Sequence, residues 1–157
     1  MGSGKSSVGS VLAERLNLPF VDLDAMVEVR TVASIADLFR VHGELWFRNL
    51  EAELLAEVLQ GPTSVVALGG GTIVDDANWA CVRAMSVSVW LDCPPDVLFE
   101  RIGAADDRPL LAGHDGLARL QELLAQRGQR YAESDLRVDA NRSRVEVVEA
   151  IVRKLGR

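Results

Sequence analysis

Gly4-Lys5-Ser6, inside the opening stretch MGSGKSSVGS, is the first place where residue types and spacing suggest chemistry. Glycines let backbone N–H groups converge on phosphate oxygens, a lysine reaches the outer phosphates as a point charge, and the hydroxyl beside it ligates magnesium. Gly2, Ser3, Gly4, Lys5, Ser6 and Ser7 would form such a loop. The full pattern G-x-x-x-x-G-K-[ST] also has a first glycine, which would fall ahead of Met1. A flexible Gly/Ser terminus has the same composition. The apolar spacing Val8, Leu12, Leu16 predicts a helix from Lys5 to Leu16 and favours the phosphate loop.

Two carboxylates come next. The run Pro19-Phe-Val-Asp-Leu-Asp24 reads as a short strand, in which Val21 and Leu23 point to the core while Asp22 and Asp24 share the opposite direction at its carboxyl end. One carboxylate can hold magnesium and the other can accept the proton of a hydroxyl, the division of labour that phosphoryl transfer to an alcohol needs. A plain strand-to-helix turn with Asp24 as the helix cap is the alternative. Gly69-Gly70-Gly71 follows an apolar run and permits close approach of a ligand or of another backbone. Arg48 has Glu44 four residues before it and Glu51 three after, the spacing of a surface ion-pair ladder. Arg108 sits in a long irregular segment, and Arg127 is on a polar helix face beside Arg130. The chain carries a formal charge of −6, which argues against a general nucleic-acid partner, so any anionic ligand requires a local cluster of cations.

The elements that must position these residues alternate. Strands are predicted at Ser64–Leu68, Ser86–Leu91 and Leu136–Asp139. Helices are predicted at Ser34–Val41, then over a stripe of Phe47, Leu50, Leu54, Leu55 and Val58 ending near Gly61-Pro62. Further helices are expected at Asp76–Arg83, Pro95–Ile102, Gly116 to about Glu133, and Ser143–Leu155. This order implies a three-layer α/β fold with a central parallel sheet, whose ligands sit beyond the carboxyl ends of the strands. At 157 residues one domain, 1–157, is expected. Residues 103–116 are the longest irregular stretch and have the character of a mobile lid. No run nears the roughly 18 apolar residues of a membrane span and no secretory signal opens the chain, so a soluble, cytoplasmic protein without a membrane partner is expected. Cys81 and Cys93 lack metal-ligand spacing and read as two reduced core thiols.

Taken in order, GSGKSSVG, DLD, GELWFRNLE, VVALGGG, RPLL and QRGQRYAESDLRVD resemble the shikimate kinases over nearly the whole chain. The resemblance implies a P-loop kinase fold and transfer of the ATP γ-phosphoryl group to the 3-hydroxyl of shikimate, a step of chorismate and aromatic amino-acid biosynthesis. It implies Mg2+ with ATP, held by Ser6 and Asp22, and phosphate contacts from Lys5. It implies that Asp24 holds the shikimate hydroxyls and activates the attacking one, that Arg48 and Arg127 bind the carboxylate, and that Gly69, Gly70 and Gly71 line that pocket. Arg108 would close over the phosphates, and Arg101 with the turn Asn141-Arg142 would flank adenine. The acid would bind in a helical region of about 24–60, on a monomer.

Two departures accompany the resemblance. The family has a hydrophobic strand and the first loop glycine ahead of the position of Met1, so this chain is expected to lack a mid-sheet strand, with the true start roughly ten residues upstream or Met1 an internal methionine. Gln129-Arg130 also stand before Tyr131 where the family often has Pro-Leu. Two other readings remain open at this point: a kinase of similar build for gluconate, and a binding module descended from such a kinase that no longer holds ATP.

Overall fold

The computed structural model describes residues 2–102 and 116–156. The expected lid falls outside them except for Gly116, and Arg108 with it. Helix α1, Lys5–Leu16, begins and ends where its apolar spacing predicts. Strand β1 is only Phe20–Asp22, and helix α2, Leu23–Thr31, follows without a loop. Sequence reading extended the strand through Asp24 and missed α2. The correction has a local cause: the Asp22 side chain accepts from the backbone N–H groups of Asp24 and Ala25 and starts a helix there. Asp22, not Asp24, is thus the cap. Leu23 and Val27, four residues apart, are both fully buried and hold α2 to the core.

Helix α3, Ile35–Gln60, merges the two helices expected between Ser34 and Gly61. Ser34 caps it through the Asp37 N–H. It is kinked at Gly43, whose φ of 81° and ψ of 171° suit glycine. Strand β2 is Val65–Ala67, and a 3-10 turn at Thr72–Val74 precedes α4, Asp76–Met85. Strand β3, Val89–Asp92, starts three residues later than expected. Ser86 ends α4 by donating its N–H and hydroxyl to the Val82 carbonyl, and Ser88 is bound to the Asp135 carboxylate, so neither is free to extend the strand. Helix α5 spans Pro95–Ile102, α6 Gly116–Ala132, strand β4 Leu136–Asp139, and α7 Arg144–Lys154 with Ser143 and Glu146 forming a capping box.

The strands are parallel, as the alternation requires, but the described residues form two pairs. β1 lies against β2 from Phe20 opposite Val65 to Asp22 opposite Ala67, and β3 lies against β4 from Val89 opposite Leu136 to Asp92 opposite Asp139. Among the described residues no strand joins the pairs. Between them is a cavity of about 840 Å3, walled by Val65 to Ala67 on one side and Val89 to Leu91 on the other, with Leu12 and Ile151 among the helical residues lining it.

One apolar core gathers Leu23, Val27, Phe47, Leu54, Leu55 and Trp79 beneath α2 and α3; a second gathers Val8, Leu12, Val138, Val148 and Ile151 between α1 and α7. Cys93 is buried as expected, but Cys81 is exposed, a correction to the reading of two core thiols. It falls on the outer side of α4, whose buried residues are Trp79 and Val82.

Candidate active site

Helix α1 starts from Gly4, whose φ of 80° is a left-handed conformation, and its first turn has neither a side-chain cap nor an acidic residue. Its first N–H groups and the positive end of its dipole therefore lack side-chain compensation. Gly2 has a φ of 67° and packs so closely on α5 that a β-carbon there would come within 2.7 Å of the Leu98 carbonyl oxygen. Ser7 turns back and donates to the Gly4 carbonyl. Ser6 and Asp22 are joined by a hydrogen bond from hydroxyl to carboxylate. Lys5 Nζ lies 3.4 Å from Asp24 Oδ2. Both carboxylates thus face the loop, although strand alternation is not the reason: Asp22 ends β1 while Asp24 is in the first turn of α2.

The turn Gly69-Gly70-Gly71 then joins this point to the arginines, each glycine with a different neighbour. A β-carbon on Gly69 would fall 2.5 Å from Glu51 Oε1 and 3.0 Å from both Asp24 Oδ1 and Thr72 Oγ1. The Gly70 carbonyl accepts from the Tyr131 hydroxyl at 2.7 Å. A β-carbon on Gly71 would meet the Arg48 guanidinium at 2.6 Å. The requirement for glycine here is therefore close approach, not an unusual backbone angle.

Arg48 is held on both sides, by Glu51 at 2.7 Å and Glu44 at 3.2 Å, and its guanidinium lies 5.2 Å from the centre of the Phe47 ring. Burial works against the Arg48 charge, but Glu51 and Glu44 together outweigh this and the Arg48 pKa is raised. Glu51 is 1% exposed and also accepts from the Thr72 hydroxyl at 2.6 Å. Arg127, half-buried on α6, stands beside Tyr131. Burial pushes the Tyr131 hydroxyl above its usual pKa, and the Arg127 guanidinium works the other way.

Glu51, Thr72 and Tyr131 are the members of this cluster that sequence reading did not assign. Glu51 did leave a signal. It lies four residues after Phe47 and three before Leu54, within the apolar stripe of α3, and a carboxylate on a buried face requires a partner. Arg48, at i−3 on the same helix, supplies it.

At the other end, Arg101 donates to the Ala140 carbonyl at 3.1 Å and approaches Cys93 Sγ at 3.6 Å. The Asn141 N–H and Arg142 Nε both bind the Asp139 carboxylate, shaping the turn after β4. Burial pushes the Cys93 thiol up in pKa, with Arg101 opposing, so the thiol stays protonated. Among the described residues no group of three or more His, Cys, Asp or Glu side chains is placed to hold a metal by itself, and no helix is long and apolar enough to cross a membrane.

The uncapped loop at the start of α1, two carboxylates facing it and an arginine held between two glutamates beyond them fit the class of P-loop phosphotransferases for small acceptors. The comparisons narrow the class. The family model described as shikimate kinase matches residues 1–156. A shikimate kinase of Symbiobacterium thermophilum is 42% identical over 159 residues, covering 99% of this chain and 91% of that one. The solved shikimate kinase of Acinetobacter baumannii in complex with shikimate superposes with a TM-score of 0.96 at 30% identity, covering 99% of this chain and 88% of that one. A gluconokinase of Sinorhizobium meliloti has a TM-score of 0.61 at 21% identity, a likeness of fold alone. The chain belongs to the shikimate kinase family.

Proposed function

We propose that this chain transfers the γ-phosphoryl group of ATP to the 3-hydroxyl of shikimate, giving shikimate 3-phosphate and ADP, with the roles divided around the glycine turn. The observation that supports this most directly is the continuity of the cluster. Lys5 is paired with Asp24, Asp24 abuts Gly69, and across Gly69 lies Glu51 with Arg48. A polyphosphate and a small hydroxy acid laid end to end need that arrangement, cations at both ends and a carboxylate between them.

In this reading Gly2, Ser3, Gly4, Ser6 and Ser7 wrap the phosphates at the helix end, Lys5 neutralises the charge developing on the transferred group, and Arg108 adds a second cation. Asp24 accepts the hydrogen bond of the 3-hydroxyl and takes its proton as that oxygen bonds to the γ-phosphorus and the bond to ADP breaks. Arg48 and Arg127 hold the ring carboxylate, which an arginine fork matches with two parallel hydrogen bonds. Arg101, Asn141 and Arg142 flank adenine. Ser6 and Asp22 already bring two hard oxygen donors together, a donor set that suits Mg2+. When bound, the ion would draw charge from the phosphate oxygens. The whole chain acts as one domain and as a monomer in the cytoplasm, with 24–60 forming the acid side.

The test is ADP release with shikimate and with gluconate as acceptors. ADP release that depends on shikimate is expected, with little or none on gluconate. Release without dependence on shikimate, or equal turnover of gluconate, overturns the assignment.

The glycine turn gives a further expected result. In Gly71→Ala the new methyl overlaps the Arg48 guanidinium, which Glu51 and Glu44 hold in place. The KM for shikimate should rise about tenfold, a change of about 1.4 kcal/mol, with little change in the KM for ATP. Unchanged shikimate kinetics would show that Arg48 is not seated against this turn in solution.

A further inference from the structure

Beyond its apolar packing on α5 through Leu120, helix α6 is fastened near its carboxyl end by two chemically separate sets of polar contacts among the described residues. At its outer edge Arg130 pairs with Asp76 of α4 and, at 3.2 Å, with Glu133. Glu133 also accepts from Trp79 Nε1 at 2.7 Å, and the Arg130 guanidinium lies 5.9 Å from the centre of the Trp79 ring. These contacts hold the end of α6 to α4.

The second fastening is a single oxygen. Tyr131 lies four residues after Arg127, so the two side chains share a face of α6. The Tyr131 ring sits 6.2 Å from Trp90, and its hydroxyl donates to the Gly70 carbonyl at 2.7 Å while standing beside the Arg127 guanidinium. A phenol is a rigid spacer with two side-chain torsions. It therefore fixes the distance between the face of α6 that carries Arg127 and the backbone of the glycine turn.

We propose that Tyr131 is a positioning residue for the acceptor acid: its hydroxyl holds Arg127 at a set distance from the glycine turn and so sets the geometry of the carboxylate subsite. The inference rests on the reading of Arg127 as a carboxylate ligand. It separates Tyr131 from a merely structural tyrosine, because the Arg130, Glu133 and Trp79 contacts keep α6 in place when the hydroxyl is removed.

Steady-state kinetics with shikimate and Mg-ATP, together with thermal melting, test this on the full chain as wild type, Tyr131→Phe, Arg127→Ala, the double variant and Arg130→Gln. Tyr131→Phe is expected to raise the KM for shikimate about tenfold, the scale of losing one hydrogen bond, with the KM for Mg-ATP within about twofold and the melting curve near wild type. The double variant should bind shikimate no worse than Arg127→Ala alone, since the hydroxyl acts through that arginine. Arg130→Gln should lower the melting temperature without reproducing the split between the two KM values.

A Tyr131→Phe enzyme with the wild-type KM for shikimate overturns the proposal, as does a parallel rise in both KM values with loss of stability. So does a double variant in which the two effects multiply, or an Arg130→Gln enzyme that shows the same split. A wild type that does not turn over shikimate overturns the functional reading and this proposal together, whereas an active wild type with a normal Tyr131→Phe overturns this proposal alone.

Discussion

Lys5→Ala is expected to lower turnover by about a thousandfold, or about 4 kcal/mol of transition-state stabilisation, while shikimate affinity stays close to that of the unaltered protein. The size follows from the chemistry. The transferred group spreads negative charge over its oxygens, and Lys5 is the cation that the start of α1 places at the crevice within the described residues. The selectivity follows from geometry, because Lys5 touches Asp24 and not Arg48 or Glu51. Its ion pair with Asp24 is 3.4 Å long and partly exposed, so its removal takes little stability with it. Rates of shikimate-dependent ADP release, with calorimetric titration of shikimate, check both halves. Turnover within tenfold of wild type would contradict the assigned role.

Glu51→Ala is the substitution expected to cost most stability, about 3–5 kcal/mol of the 5–15 kcal/mol typical of a domain. Two groups lose their partner at once. Among the described residues Arg48 keeps only the exposed Glu44 as an ion-pair partner, and the Thr72 hydroxyl, completely buried, loses the acceptor it uses. Arg48 retains some contact with solvent, which limits its share of the loss. Glu51→Gln should lie between the two proteins, because an amide oxygen still accepts from Thr72 while the charge beneath Arg48 is gone. With a urea slope of about 2 kcal/mol/M, the midpoint of Glu51→Ala should fall by about 2 M, with the KM for shikimate rising alongside. A midpoint near wild type would mean that Glu51 is not the buried link between Arg48 and Thr72.

Sequence carried the alternation of elements well. The spacing of Val8, Leu12 and Leu16 placed α1 at its observed bounds, Leu136–Asp139 was placed as observed, and Ser34 was read as a cap. Local signals were enough there because the caps and apolar repeats agree. They were not enough at Asp22, where a strand ends and a helix begins on one residue, nor at Ser86 to Ser88, where side-chain hydrogen bonds to Val82 and Asp135 displace the strand start. In the site, Lys5, Ser6, Asp22, Asp24, Arg48 and the glycines were named from sequence and lie together. Glu51, Thr72 and Tyr131 were given no role in the site. The glutamate's spacing to Arg48 is that of a solvent-exposed ladder, and only the fold shows that one rung is inside. The separation of the described strands into two pairs matches the expectation of an absent mid-sheet strand, which came from the family resemblance and not from any local pattern.

The Asp22 carboxylate has two oxygens and two employers. Oδ1 holds the first amides of α2 and Oδ2 takes the Ser6 hydroxyl. Because both oxygens belong to one planar group, the first turn of the helix carrying Asp24 and the Ser6 hydroxyl beside Lys5 are set relative to each other by a single side chain.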